Sequence, residues 1–247
     1  MRIVLDKLWV GCKNYTDLVG FGEGGWGRVL IAGAGVTSAI AVLGFLIGSI
    51  LGSLVAWAKM SPIRLARGVA DAYTTTLRGV PDLLVIYLLY FGGNSLLSTF
   101  AGFFGANGFV GMPTFATGVL AIGIISAAYQ AEVLRGAFNT VAKGSIEAAH
   151  AVGMGRWLLF RRVVAPQVLH YALPGLGNTW QLALKETALI SVVGLVELLR
   201  QAQMASGSTR RPFEFFITAG LLYLTITVVS SLLFRFAEYR SACRMGG

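Results

Sequence analysis

Hydrophobic positions in this chain come in long charge-free blocks separated by short polar segments. No charged residue falls between Val29 and Ala58, between Leu83 and Ala131, or between Phe215 and Phe234. A hydrocarbon core of about 30 Å is crossed by about 20 helical residues, so each block is long enough to span a membrane. The block from Leu83 to Ala131 is too long for one crossing. The glycine- and proline-bearing stretch Gly105–Pro113 supplies the turn inside it. The pattern predicts five spans, at 29–58, 83–104, 114–131, 167–199 and 215–234.

The polar segments carry patterns of their own. In Ser61–Pro81, Ile63, Ala66, Ala70, Tyr73 and Leu77 recur at helical spacing. That predicts an amphipathic helix at the membrane surface or an extension of the second span. Glu132 and Arg135 form an i,i+3 pair at the end of the third span. Residues 136–166 predict two short helices broken at Gly153 and Gly155. The first has a small-residue face of Ala142, Ile146 and Ala149, and the second an apolar stripe of Trp157, Phe160, Val163 and Val164. Pro166 then starts the next helix or turns the chain. Arg200–Glu214 is expected as a polar loop. Gly33, Gly35, Gly44, Gly48 and Gly52 in the first span permit close helix packing.

Composition agrees with a membrane protein. Only 13% of the 247 residues are charged, against about 25% in soluble chains. The net charge of +9 marks polar loops on the cytoplasmic side. No basic run interleaved with exposed aromatics suggests nucleic acid. Twelve of the twenty Lys and Arg residues fall on the face carrying 59–82, 135–166 and the tail, and seven on the other. That places the N-terminus in the periplasm and the C-terminus in the cytoplasm. Cys12 and Cys243 then lie on opposite sides and cannot pair. No cleavable signal is seen in the first 28 residues. His150 and His170 lack metal-ligand spacing, and no metal site is expected.

Ionisable residues inside a span point to a polar pathway. Lys185 and Glu186 are the candidates, with Asn178, Thr179, Trp180 and Gln181 nearby. A lysine suits an α-carboxylate, and a glutamate an α-ammonium or a cationic side chain. The alternative is structural pairing with a neighbouring helix. Trp180 is equally a packing residue.

The stretch EAAHAVGMGRWLLFRRVVAP, Glu147–Pro166, resembles the EAA motif of permease subunits of ATP-binding-cassette importers. Glu147, Ala148, Ala149, Gly153, Val163, Ala165 and Pro166 keep its register, with Ala165 in place of the usual leucine. Arg78, Gly79 and Pro81 resemble the R-G-T-P segment entering the second span of permeases for polar amino acids, with Val80 replacing threonine. Asn178, Lys185 and Glu186 are similar to that group's N-E, five residues, K-D pattern, but Thr179 replaces its glutamate. The chain resembles most the Q-type subunit of importers for histidine, basic amino acids or opines such as octopine and nopaline.

The resemblance implies an all-α integral membrane protein of the type I importer permease kind, one transmembrane domain over 1–247. Residues 136–166 then form a cytoplasmic helix-turn-helix coupling segment that docks into an ATPase subunit. It implies a second, M-type permease, two ATPase subunits holding ATP and Mg, and a periplasmic binding protein, in the bacterial inner membrane. With no phosphate-binding loop, this chain is expected to bind no cofactor and to hydrolyse nothing itself. The alternatives are an ATP-independent secondary carrier, which typically shows an internal repeat, and an intramembrane enzyme using Glu132, Lys185 and Glu186.

Overall fold

A computed structural model of the chain describes residues 15, 18–22, 24–103 and 111–245. The described residues are almost entirely helical, with no strand among them. In chain order the helices are α1 (Gly27–Met60), α2 (Arg64–Gly79), α3 (Asp82–Tyr87), α4 (Gly93–Phe103), α5 (Thr114–Thr140), α6 (Lys143–Ala151), α7 (Arg156–Leu159), α8 (Ala165–Glu186), α9 (Leu198–Thr209) and α10 (Pro212–Met245). A π-helical turn, Leu88–Gly92, joins α3 to α4 without a break. The expected Gly105–Pro113 turn lies mainly outside the described residues, as does Cys12.

Among the described residues, four helices are long and apolar enough to cross a membrane: Gly27–Met60, Asp82–Phe100, Thr114–Thr140 and Pro212–Cys243. They coincide with four of the predicted spans. Their outer faces are apolar and exposed, as at Leu46, Ile50, Leu54 and Trp57 on α1 and Leu221, Leu224, Val228 and Leu232 on α10. Such a surface is stable against lipid and not against water.

The fourth predicted span differs. In place of one helix over 167–199, α8 ends at Glu186 and tightens into a 3₁₀ segment, Thr187–Val193. The chain then reverses at Gly194, whose φ of 91° suits glycine. The expected loop at Arg200–Glu214 is largely the helix α9. Apart from Thr187, Ser191 and Glu197, residues 187–199 are apolar or glycine, so mean hydropathy does not mark the break. Glu197 decides it. Its carboxylate accepts hydrogen bonds from the backbone N–H of Leu199 and Arg200, at 2.9 and 2.8 Å, and so starts a new helix.

The helices α1 and α5 pack along most of their lengths. Glycines make that approach possible. A Cβ on Gly44 would sit 2.7 Å from Ile122 Cγ2, and one on Gly52 3.0 Å from the Ala127 carbonyl oxygen. Gly35 meets nothing within 4 Å and faces outward, so it takes no part. Gln130, fully buried in α5, closes the interface. Its amide donates to the Phe45 carbonyl at 3.1 Å and to Ser126 Oγ at 2.8 Å, and its Oε1 accepts from Ser49 at 2.7 Å. Hydrogen bonds of this kind hold helices together where lipid removes the hydrophobic drive.

Around this pair, Ile40, Val85, Ile86, Ile122, Ile125, Ala183 and Ile190 form a core joining α1, α3, α5 and the end of α8. A second core, Leu30, Leu198, Ala202 and Phe215, ties α9 and α10 to the start of α1. Glu197 seals the junction. It is fully buried and accepts from Thr37 Oγ1 at 3.1 Å and from Tyr223 Oη at 2.9 Å.

Candidate functional site

Two sets of site residues were expected, and they occupy two places in the bundle. The first is the α6–α7 knuckle. Val141 and Ala142 are extended, so α5 ends and α6 starts at an angle. Gly153 ends α6 with φ of 77°, and Gly153 N donates to the His150 carbonyl at 2.9 Å. This is a left-handed helix end that a Cβ would strain. Chain then passes from α7 to α8 through a π-helical turn, Phe160–Val164. Pro166 explains the turn, since it has no N–H and its ring crowds the carbonyl four residues earlier.

The knuckle has a core of its own, in which Ala149, Leu159 and Val164 pack against Phe138, Ile146 and Val168. This corrects the expected docking face. Ile146 and Ala149 turn toward their own chain, and the exposed face of α6 carries Gly144, Glu147, Ala148 and Ala151. Small residues on that face still let a neighbour approach closely. Around and beyond Gly153 the surface mixes exposed apolar and aromatic side chains with the exposed Arg156, Arg161 and Arg162. Val152 and Trp157 are each 72% exposed, and the Trp157 ring stacks on Phe160 at 6.2 Å.

The second place is the far end of α8. Asn178 and Lys185 lie on one exposed stripe of the helix. Gln181 is half-buried and donates to Ser231 Oγ on α10 at 3.1 Å. Thr179 is buried and donates to the Gly175 carbonyl at 3.0 Å, a bond within its own helix. Trp180 points the other way, into an aromatic nest with Phe45 and Phe234. Its buried indole N–H has no partner among the described residues. The expected six residues therefore split: Asn178, Gln181 and Lys185 face outward or half outward, and Thr179, Trp180 and Glu186 face in.

Glu186 lies about 100° round the helix from Lys185 and is 7% exposed. It meets a residue that periodicity did not single out. The Asp82 carboxyl, on the first turn of α3, lies within hydrogen-bonding reach of the Glu186 carboxyl. Tyr129 of α5 stands close to both. The Arg78 guanidinium lies 5.7 Å from the centre of the Tyr129 ring, within the range of cation–π attraction. The span-entry motif builds this corner. Gly79 ends α2, Val80 is extended, and the Pro81 carbonyl accepts from Leu84 and Val85 N–H to start α3. Arg78 and Asp82 are thereby set on either side of a sharp turn, facing α5 and α8. One signal could have found Asp82: it directly precedes a charge-free block at Leu83, as Glu214 precedes the one at Phe215.

A multi-pass helical bundle with a glycine-bent knuckle at one end and a mixed-charge corner built around the buried Glu186 fits a membrane permease. Residues 44–241 match the family of binding-protein-dependent transport system inner membrane components, and the chain belongs to that family. It is 57% identical over 228 residues to the octopine transport system permease protein OccQ of Rhizobium radiobacter, covering 92% of this chain and 96% of that one. It is 50% identical to the nopaline transport system permease protein NocQ of Agrobacterium fabrum, over 90% and 94% of the two chains. The identity to HisQ of Escherichia coli, a histidine/lysine/arginine/ornithine permease, is 40% over 87% and 94%.

Among solved structures, an amino acid ABC transporter with histidines aligns with a TM-score of 0.73 at 35% identity, over 87% of this chain and 95% of that one. The inward-facing MetNI methionine transporter aligns with a TM-score of 0.62 at 19% identity, over 87% and 95%, a likeness of fold alone. The chain is thus a multi-pass inner-membrane permease subunit of an ABC importer. Such an importer draws on a substrate-binding protein and on ATP consumed by partner ATPase subunits.

Proposed function

We propose that this subunit passes a cationic amino acid or an amino-acid-derived opine inward, and that the carboxyl pair Asp82–Glu186 receives the cargo's positive group. The observation that carries this is the apposition of two carboxyls inside a membrane domain. Two such groups in contact call for a proton or a cation between them. A guanidinium answers that need with a planar fork of donors. Lys185, exposed on the adjoining stripe, and Arg78 are placed to attract the cargo's carboxylates. The glutamate missing at Thr179 is then replaced in charge by Asp82, from another helix. The names of the octopine, nopaline and histidine/lysine/arginine/ornithine relatives support this cargo class.

The path is completed by a second, M-type permease facing the exposed stripe of α8. In this arrangement α8 is the fifth crossing. Two ATPase subunits bind ATP and Mg and grip the Glu147–Pro166 segment, with Glu147, Ala148, Ala149, Gly153 and Pro166 forming the docking knuckle. Ala149 and Pro166 support it from within. The N-terminus is periplasmic and the C-terminus cytoplasmic, as the basic residues suggest.

The test is uptake by the reconstituted importer with its binding protein, using octopine, nopaline, arginine and histidine as probes. Asp82→Asn and Glu186→Gln should each cut transport of the guanidinium probes by about tenfold or more, the scale of one lost charge-assisted bond. Assembly with the ATPase should persist, and histidine should suffer less. Unchanged uptake of all four probes in both variants would sink the cation site.

A further inference from the structure

Near the α6 end of the bundle lies an ion cluster around a buried lysine that neither the docking knuckle nor the cargo corner uses. Lys59, on the last turn of α1, has its side chain only 7% exposed. Its ammonium donates to Thr74 Oγ1 of α2 at 2.7 Å, pairs with Asp71 of α2 at 3.0 Å, and pairs with Glu132 of α5. An ammonium has three N–H donors, and each has a partner here. Glu132 accepts in turn from Arg135, at 3.0 Å to Nε and 2.8 Å to Nη2. Thr74 is itself buried and donates back to its own helix.

Burial of charge is costly, and a buried ion pair is weak evidence of stability. What such a cluster supplies is geometry, because each bond has a fixed direction. Higher up, Gln130 ties α5 to α1 alone, through Phe45 and Ser49. The ion cluster brings in α2 as well, and fixes the register of α1, α2 and α5 at one level. Glu132 precedes Phe138 by about 9 Å of helix, and Phe138 packs into the core of the knuckle. At its other end α2 runs on to Arg78 and Asp82.

We propose that Lys59 is a positioning residue that locks α1, α2 and α5 into one lever, delivering movement of the α6–α7 knuckle to the Arg78–Asp82 corner. The role rests on the importer function and adds to it a route for the force. Glu132 and Asp71 are the two anchors, and Arg135 holds Glu132 in place.

The test uses the complete importer in proteoliposomes with its binding protein, and the four probes named above. Hydrolysis and uptake are measured together as ATP consumed per probe molecule imported. For Lys59→Met that ratio should rise by about fivefold or more, the lower range of an allosteric coupling, with basal hydrolysis and assembly retained. Lys59→Arg should restore most of the coupling. If Lys59→Met does not assemble, Asp71→Asn takes its place. Asp71 is 61% exposed at its side chain, so its loss should spare assembly and raise the ratio about twofold, a smaller coupling loss. An unchanged ratio in the assembled complexes overturns the lever, even where total uptake falls, because a purely structural residue lowers both activities together. If the wild-type complex imports none of the probes, the cargo class proposed above is wrong, and binding-protein-stimulated hydrolysis left intact in Lys59→Met then overturns the lever.

Discussion

Glu197 is the residue whose role was least legible in the chain. Glutamate is not among the favoured helix caps, and Glu197 sits between the apolar Val196 and Leu198. Only the tertiary fold brings Thr37 and Tyr223 to its carboxylate. Removing it leaves two hydroxyls and two backbone N–H groups without their acceptor. Glu197→Ala should therefore destabilise the subunit by about 3 kcal/mol or more, since each orphaned buried group costs about 1–3 kcal/mol. Glu197→Gln keeps an acceptor and should cost less. Thermal midpoints of the detergent-solubilised subunit would separate the two; equal midpoints for wild type and Glu197→Ala would remove the carboxylate from this role. Lys185 and Glu186, in contrast, were visible at once, because charge inside a span has a cost. Their partner Asp82 was not, since it borders its span and its meeting with Glu186 is a contact between distant helices.

At the scale of elements, spans and turns were legible where charge or glycine marks them. The charge-free blocks predict α1, α5 and α10 closely, although each helix extends past its block into polar sequence. Hydropathy reports the lipid-facing length and not where the backbone stops. The break at Gly194 was hidden for the same reason, because both sides of it are apolar. Glycine in α1 was readable as a packing device, but not position by position. Gly44→Leu should force α1 from α5, at about 1–3 kcal/mol of overpacking. For a domain of this size that corresponds to roughly 2–4 °C of melting temperature per kcal/mol. Gly35→Leu adds the same side chain on the same helix where nothing lies within 4 Å, and its melting temperature should stay near that of wild type. A similar loss in both variants would mean that helix propensity or lipid contact, rather than the α1–α5 approach, governs the effect.

For the whole molecule, the sequence supports a particular orientation through an uneven split of basic residues, weakened by Arg200, Arg210 and Arg211 on the minority side. The knuckle joins α5 to α8, and the exposed Cys243 lies near the C-terminal end of α10. The helix α9 joins the other end of α8, beyond the 3₁₀ segment, to the start of α10. If α8 and α10 each cross once, Gly144 on α6 and Cys243 share one side and Gln203 on α9 takes the other. These three positions are exposed, so a membrane-impermeant maleimide can read the sides directly. In a background with Cys12 replaced by serine, Cys243 should react only in inside-out vesicles. With Cys243 also replaced, a cysteine at Gly144 should behave the same way, and one at Gln203 should react only in right-side-out cells. The mirror result would reverse the orientation and put the knuckle out of reach of any cytoplasmic ATPase. Labelling of Gln203→Cys and Cys243 from the same side would instead exclude α10 as a crossing. Labelling of Gly144→Cys and Gln203→Cys from one side would exclude α8, leaving the four apolar helices as the only spans.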